Sequence, residues 1–278
     1  WRADGGNLMK VRVITAVIGI IAVLLLVWLG GVFFSGAVLA VALLAVHEYN
    51  KMLKNINVHV VVPLIAAAQL VLIGAASFGS LKVFLGMIPL CLVLLLCPIL
   101  KLNQDKMTSL IYTVFGSFYF GIGFGALILL RRNADLITQS SLWMEPGIFL
   151  VMFALVDTWA SDSFAYLVGR RFGRHKMAPH ISPNKTVEGL LGGVAGCIIL
   201  GTIVAWAFGY NVFYGFIMSL MASVMAPIGD LFESYMKRAC DVKDSGQILP
   251  GHGGMMDRFD SILFVAPVFV STLILFAH

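Results

Sequence analysis

Ionisable and hydroxyl side chains recur at helical spacing near the end of a long apolar segment. Asp230, Glu233, Ser234 and Lys237 stand at positions i, i+3, i+4 and i+7, so a helix would place all four on one face. Ionisable residues inside an apolar segment are costly and are usually retained for function. The spacing therefore favours a functional polar face, and the alternative is an internal salt bridge between Glu233 and Lys237.

A glycine-rich loop follows this segment and leads into the last apolar stretch. It contains residues 251–254, Gly-His-Gly-Gly, and glycines let backbone N–H groups approach phosphate oxygens closely. The loop runs into Asp257 and Asp260, which we expect on one face of a helix start with Arg258 between them. Such groups are typical of a site for a hard cation and a polyphosphate. Oxygen ligands favour magnesium, and we expect His252 to contact phosphate rather than the metal.

Another polar cluster lies in an earlier apolar segment and the loop after it. Asp162 and Tyr166 are at i and i+4 and so are neighbours on one helical face. Asp157 is roughly 140° around the helix from Asp162 and need not share its site. The basic run that follows contains Arg170 and Arg171. It is interpreted equally well as headgroup or nucleotide binding and as charge that sets membrane topology.

The loop continues to residues 182–189, which enter the next apolar segment. Lys185, Thr186 and Glu188 offer partners for phosphate and hydroxyl groups at a helix N-terminus, where the helix dipole favours anions. Capping explains Thr186 or Glu188 but does not require Lys185. Ser182 is predicted to start a turn before them.

Membrane-spanning helices must position these groups, because the chain is far too apolar for a water-soluble fold. Hydrophobic residues make up 60% of the 278 residues and charged residues 12%, against about 45–50% and about 25% in soluble domains. Segments of membrane length recur. They predict nine spans, at residues 11–29, 32–46, 58–77, 82–100, 108–130, 147–168, 187–209, 211–236 and 259–277. Because only Gly30-Gly31 separates the first two, they are either two spans or one long broken helix.

The distribution of Lys and Arg predicts the orientation of these spans. With the N-terminus inside, fifteen basic residues fall in inner segments and three, Lys82, Arg131 and Arg132, in outer ones. We therefore predict an all-α polytopic integral membrane protein of nine transmembrane helices, with a cytoplasmic N-terminus and an outer C-terminus. Residues 1–8 are interpreted as a cloning remnant.

Acidic residues divide the chain into two functional regions. Nine of the fourteen lie beyond residue 150, so residues 9–150 are predicted to be scaffold helices and residues 151–278 the catalytic region.

Other functional classes fit the sequence less well. Basic residues fall between apolar runs and form no stripe with aromatics, which excludes nucleic acid as a partner. The four cysteines form no CxxC pair for zinc. An ion-coupled transporter would also hold Asp157, Asp162 and Asp230 in the membrane, but inverted repeats are lacking and the polar residues gather at one face. A structural scaffold does not explain so many acidic groups.

The ordered motifs resemble the signature of the phosphatidate cytidylyltransferase family. The resemblance covers Ser234, Lys237-Arg238, Lys243-Asp244, residues 250–254 and residues 257–260, and it extends upstream to residues 162–166 and 182–189. Asn184 departs from the basic residue that is common there. The resemblance implies condensation of CTP with phosphatidic acid to CDP-diacylglycerol and pyrophosphate, with Mg²⁺. It also implies a homodimer among membrane lipids, with its active site at the cytoplasmic face of a prokaryotic inner membrane.

The motifs also give individual residues expected roles. Asp230 and Asp257 are predicted metal ligands because they bracket the loop from two helices. Asp244 and Asp260 are predicted either to ligate a second cation or to support the first. The expected catalytic partners of phosphate are Lys237, Arg238, Lys243 and Arg258. The expected substrate-binding residues are Asp162, Tyr166, Arg170, Arg171, Ser182, Lys185, Thr186, Glu188, Ser234, His252, Gly253 and Gly254. Another lipid phosphate, polyprenyl or ether-linked, remains an alternative substrate.

Overall fold

Long apolar helices dominate the computed structural model, which describes residues 4–96, 107–132, 142–249, 251 and 253–276. Ten helices and two strands follow one another within these residues. In chain order they are α1 (Asp4–Leu29), α2 (Gly31–Lys54), α3 (Val62–Phe78), α4 (Leu81–Leu96), α5 (Met107–Arg132), α6 (Pro146–Phe172), β1 (Lys176–Ala178), β2 (Ser182–Thr186), α7 (Val187–Ala207), α8 (Val212–Ala239), α9 (Met256–Phe259) and α10 (Ile262–Phe276).

Six helical segments are long and apolar enough to cross a membrane. They are α2, α5, α6, α7, α8 and the stretch Met256–Leu275, which joins α9 to α10. Three shorter apolar helices, Val13–Leu29, Val62–Phe78 and Leu81–Leu96, complete a set of nine among the described residues. These segments coincide with the nine predicted spans to within several residues at most ends. The helical membrane class is thus supported, while the number of spans and their orientation stay predictions.

The first two predicted spans are separate helices. Gly30 and Gly31 have φ values of +61° and +49°, in the left-handed region that glycine adopts without a steric penalty. Helix α2 then continues to Lys54, well beyond the predicted end at residue 46. It does so because the polar side chains after the apolar run, Glu48 and Tyr49, are buried and have partners inside the protein.

A β-hairpin interrupts the otherwise helical fold where an inner loop was expected. Strands β1 and β2 pair antiparallel, with Lys176 opposite Thr186 and Ala178 opposite Ser182. The backbone N–H of Val187 also donates to the carbonyl of His175 at 2.9 Å, which extends the pairing to the start of α7. The hairpin thus ends directly at a helix N-terminus.

By internal contacts the chain divides into two compact units. The first comprises Trp1–Ile128 and Ala239–Phe259, and the second comprises Leu129–Arg238 and Asp260–His278. This division by contacts does not test the predicted boundary at residue 150 between scaffold and catalytic regions, which stays a prediction.

Helix α5 forms the core of the first unit, where its glycines receive bulky side chains. A Cβ on Gly116 would lie 2.7 Å from the Tyr49 ring, and one on Gly125 would lie 2.5 Å from the Phe84 ring. Polar contacts join the same helices: the Tyr49 hydroxyl donates to the Tyr112 carbonyl at 3.1 Å. Small residues on α5 thus let α2 and α4 pack closely against it.

In the second unit, a stripe of glycines on α7 packs against α6. A Cβ on Gly193 would lie 2.7 Å from the Ser161 carbonyl oxygen, and one on Gly196 would overlap the Phe164 ring. Close helix packing of this kind is typical of small residues in membrane proteins. Helix α10 packs against α6 through Phe269.

Candidate active site

A cavity of about 700 Å³ opens in the second unit between α6, the hairpin and α8. Seven residues predicted from the sequence line it: Asp162, Tyr166, Arg170, Ser182, Lys185, Thr186 and Asp230. Ser161, Lys176, Met177 and Pro227 line it as well and were not predicted as site residues. Lys176 belongs to the basic run after α6, so its charge could have identified it as a candidate phosphate-binding residue.

An ion pair closes one side of this cavity. The Lys185 ammonium on β2 lies 2.5 Å from Oδ2 of Asp230 on α8, and the two side chains are 26% and 30% exposed. The Ser234 hydroxyl, one turn further along α8, donates to the other Asp230 oxygen at 3.4 Å, a long and weak hydrogen bond. Lys185 and Asp230 thus present opposite charges to a partly open space.

Glycine allows α8 to approach the start of α10 beside Asp230. A Cβ on Gly229 would lie 2.6 Å from the carbonyl oxygen of Asp260 and 3.0 Å from Cα of Ser261. This contact brings Asp260 within electrostatic range of Asp230, and Asp162 on α6 is within range of it too. The mutual repulsion of these carboxylates favours the arrival of a cation.

Carboxylate oxygens at the cavity fit a hard cation such as Mg²⁺. This ion is commonly held by one or two carboxylates together with substrate phosphates and water. Among the residues described above, no group of three His, Cys, Asp or Glu side chains is arranged to hold a metal by itself. A metal ion at Asp230 would therefore take its further ligands from substrate phosphates and water.

The remaining charged residues of α8 have partners of their own. Lys237 Nζ lies 2.6 Å from Oε2 of Glu233, and both side chains are buried. This is the internal salt bridge that the spacing admitted as an alternative. Arg238 Nε donates to the Ile181 carbonyl at 3.2 Å and so joins the end of α8 to the hairpin turn. The predicted catalytic roles of both cations stay predictions.

Three predicted substrate-binding residues hold local structure. The Glu188 carboxylate accepts the backbone N–H of Arg174 at 2.9 Å and lies 2.6 Å from Nδ1 of His175, so it fixes the chain before β1. The Thr186 hydroxyl caps α7 by accepting from the Gly189 N–H at 3.1 Å. The Arg171 guanidinium lies over the Phe172 ring, 5.6 Å from its centroid.

The glycine-rich loop lies in the first unit and folds around Asp257. Oδ2 of Asp257 accepts hydrogen bonds from the Gly254 N–H at 2.8 Å and from the Ser245 N–H at 3.1 Å. Gly253 has a φ of +85°, and a Cβ there would lie 2.8 Å from the same carboxylate oxygen. The Gly254 N–H thus points at a protein carboxylate, whereas we expected it to point at phosphate.

Several predicted residues of this loop are exposed. Lys243, Asp244 and Arg258 have solvent-facing side chains, as groups that meet a soluble ligand must. His252 lies outside the described residues. Because Asp257 belongs to the first unit and Asp230 to the second, their shared ligation of one cation stays a prediction.

One expectation about the end of the loop is wrong. Asp257 lies in α9, which ends at Phe259, and Asp260 lies in a turn before α10 begins at Ile262. The two carboxylates therefore do not share one face of a single helix start. The Asp260 carboxylate instead accepts the backbone N–H of Ser261 at 2.7 Å, within the turn.

Sequence reasoning missed Glu48, a buried carboxylate on α2. Its oxygens accept the backbone N–H groups of Met255 and Met256, both at 2.9 Å, and so hold the end of the glycine-rich loop. The signal was an acidic residue directly after an apolar run, but its partners are about two hundred residues away in sequence.

Comparison with known proteins gives consistent matches along the whole chain. A model of the cytidylyltransferase family matches residues 10–276. A protein of Bacillus subtilis (strain 168) named phosphatidate cytidylyltransferase is 35% identical over 277 residues, which is 97% of this chain and 99% of that protein. Proteins of the same name from Staphylococcus haemolyticus and Staphylococcus epidermidis are 32% and 34% identical, each covering 94% of this chain and 97% of the relative.

Proposed function

The chain belongs to the cytidylyltransferase family, and from that membership we propose that it condenses CTP with phosphatidic acid. The products are CDP-diacylglycerol, a precursor in phospholipid biosynthesis, and pyrophosphate. The names and near-complete coverage of the bacterial relatives support this substrate pair. The observation that carries the proposal is the cavity of the second unit, in which basic side chains and Asp230 line a space among apolar helices.

The cavity suits a nucleotide in size and charge. Its volume of about 700 Å³ lies within the range of roughly 300–1,000 Å³ that is usual for small-molecule sites. Arg170, Lys176 and Lys185 all line it, and cations of this kind bind phosphate oxygens through charge-assisted hydrogen bonds. We assign the triphosphate to these three side chains.

The proposed reaction is a direct displacement at the α-phosphorus of CTP. A phosphate oxygen of phosphatidic acid forms the new P–O bond, and the bond between the α-phosphorus and the bridging oxygen breaks to release pyrophosphate. A phosphate monoester is largely dianionic near neutral pH, so the nucleophile needs no dedicated base. The side chains therefore contribute mainly by orienting the two substrates and by neutralising charge.

Lys185 and Asp230 have linked roles in this scheme. The two side chains neutralise each other at one side of the cavity. A triphosphate would compete with Asp230 for Lys185, which would leave the Asp230 carboxylate to hold a cation. The nucleotide and its cation are therefore expected to bind together.

We propose Mg²⁺ as the cofactor and Asp230 as its ligand at the cavity. When bound, the ion neutralises phosphate charge and makes pyrophosphate a better leaving group. Participation of Asp257, and of Asp244 or Asp260 with a second cation, stays a prediction from the sequence.

We also propose that the chain spans a bacterial inner membrane nine times and that the cavity opens to the cytoplasm. The basic residues that line the cavity belong to segments that the positive-inside rule assigns to the cytoplasmic side. That side is also where CTP is available. The homodimer implied by the resemblance stays a prediction.

Labelled CTP tests the proposed reaction directly. Purified protein would be given phosphatidic acid, Mg²⁺ and CTP labelled with ³²P at either the α or the γ position. We expect the α label to enter the lipid phase and the γ label to appear in pyrophosphate. Entry of the γ label into lipid would contradict attack at the α-phosphorus. Transfer to a polyprenyl phosphate but not to phosphatidic acid would contradict the proposed acceptor.

A further inference from the structure

Glu48 is a buried acid of α2 whose carboxylate lies within the glycine-rich loop of the first unit. The residue is 1% exposed. Its Oε1 accepts the N–H of Met255 and its Oε2 accepts the N–H of Met256, each at 2.9 Å. The Ser245 hydroxyl lies 3.0 Å from the same Oε2. One side chain thus holds two places in the loop, about ten residues apart along the chain.

The sizes of the loop residues match this carboxylate. A Cβ on Gly246 would overlap Oε1 of Glu48, and one on Gly254 would lie 2.5 Å from Oε2. At both positions Glu48 occupies space that a side chain would need, and at Gly254 the Ser245 hydroxyl, which contacts Glu48, occupies it as well. The loop is therefore folded around the Glu48 side chain, which lies in its interior.

Ser245 connects Glu48 to Asp257. Its hydroxyl lies 3.0 Å from Oδ2 of Asp257 as well as from Glu48, and its backbone N–H donates to the same Asp257 oxygen at 3.1 Å. A hydroxyl has one hydrogen and so donates to one of the two carboxylates at a time. The orientation of Asp257 thus depends on a serine that Glu48 holds in place.

Glu48 stabilises the loop through hydrogen bonds as well as through packing. Hydrogen bonds to an ionised acceptor are about twice as strong as neutral ones. A buried N–H that loses its acceptor incurs the full cost of desolvation. Removing the carboxylate would leave the amides of Met255 and Met256 without this acceptor, so the end of the loop would open more often.

We propose that Glu48 is a positioning residue for cytidylyl transfer, acting through Ser245 and the 255–256 backbone to fix Asp257. The inference rests on the proposed function for its effect on catalysis. The hydrogen bonds of Glu48 are with the loop, so it would act through Asp257 rather than on the substrates. Its effect is to keep Asp257, a predicted metal ligand, in one orientation, so its loss weakens metal binding more than it weakens the fold.

Glu48→Gln tests this, because glutamine keeps the size of the side chain but has a single acceptor oxygen. The first readout is amide hydrogen exchange over residues 245–256 of the substrate-free protein. We expect exchange at Met255 and Met256 to accelerate about tenfold, as loss of one charged hydrogen bond allows. The second is the Mg²⁺ concentration for half-maximal pyrophosphate release, which we expect to rise about tenfold with a smaller change in kcat.

Gln69→Met is the matched control. Gln69 is a fully buried polar residue on α3 of the same unit, and its Nε2 donates to the Ser117 carbonyl at 3.0 Å. The substitution removes a buried hydrogen bond away from the loop. We expect it to lower the melting temperature while exchange in residues 245–256 and the Mg²⁺ requirement stay at wild-type values.

Ser245→Ala keeps the proposal testable if Glu48→Gln fails to fold. It removes the hydroxyl that links Glu48 to Asp257 but retains the Ser245 N–H on Asp257 and the two backbone contacts of Glu48, so we expect a raised Mg²⁺ requirement without faster exchange at Met255 and Met256. Wild-type exchange and Mg²⁺ dependence in Glu48→Gln would overturn the inference, as would equal effects from Gln69→Met. A wild-type protein without transfer activity would overturn the proposed function instead, and the exchange comparison would still decide whether Glu48 holds the loop.

Discussion

The Lys185 ammonium and the Asp230 carboxylate form an ion pair, with Nζ and Oδ2 2.5 Å apart, at one side of the cavity of the second unit. Lys185 lies in β2 of the hairpin that precedes α7, whereas Asp230 lies in the second half of α8. The contact joins two motifs that the sequence shows only as separate clusters. It also places the cation that we assign to the triphosphate next to the carboxylate that we assign to a metal ion.

Asp230→Asn should abolish most of the transfer activity. The substitution keeps the shape but removes the charge that we assign to cation binding, so we expect kcat/KM to fall at least about 100-fold, or about 2.7 kcal/mol in transition-state stabilisation. Asp241→Asn is the control, because Asp241 is exposed and has a φ of +56°, which asparagine also tolerates. Near-normal turnover of Asp230→Asn with Mg²⁺ would refute the metal assignment.

Lys185→Met should weaken nucleotide binding. The methionine retains the apolar stem of the side chain but cannot neutralise phosphate, so we expect KM for CTP to rise about tenfold or more. Lys54→Met, at the exposed end of α2, should leave KM unchanged. The role assigned to Lys185 would be wrong if KM for CTP rose equally in both variants.

Gly201→Ala should destabilise the second unit. A Cβ there would overlap the Ser219 hydroxyl and the Asp157 carboxylate, both on fully buried residues. Overpacking of this kind costs about 1–3 kcal/mol, which would lower the melting temperature in detergent. Gly74→Ala is the matched control, since a Cβ on this helical glycine meets no atom within 4 Å and alanine favours the helix. An equal or higher melting temperature for Gly201→Ala would contradict the packing of α7 on α6 and α8.

Cysteine labelling should reveal the orientation of the spans. In a background without Cys97, the other cysteines, Cys91, Cys197 and Cys240, are buried. We expect a membrane-impermeant maleimide to label Lys82→Cys only in right-side-out vesicles and Lys54→Cys only in inverted ones. Both positions are exposed in the structure. The reverse pattern would show that the predicted orientation is inverted. Labelling of both positions from one side would show that the predicted number of spans between them is wrong.

Hydropathy was sufficient to locate the helices, because each span needs a long apolar run. It failed where polar residues find partners inside the protein: α2 continues past residue 46 to Lys54, since Glu48 and Tyr49 are buried. The hairpin of residues 176–186 was also missed. Its strands are short and largely polar, so they carry no alternation of apolar and polar residues from which pairing could be predicted.

Helical spacing predicted several of the residues that line the cavity. Residues whose partners are distant in sequence could not be assigned in this way. Asp162 and Tyr166 share a face of α6, as expected, and both line the cavity. Glu188 has the polar character of a ligand-binding residue, but it holds the backbone of Arg174. Glu48 could not be assigned, because its contact with Ser245 joins residues 197 positions apart in the chain.

Pyrophosphate release by the purified, detergent-solubilised protein is the first measurement of cytidylyl transfer to phosphatidic acid that we would make. CTP, ATP, GTP and UTP would each be supplied with and without phosphatidic acid, in Mg²⁺ and again after its removal with EDTA. We expect pyrophosphate only when CTP, phosphatidic acid and Mg²⁺ are all present, with recovery when Mg²⁺ is restored. Release with ATP at the same rate, release without phosphatidic acid, or no release under any pairing would contradict it.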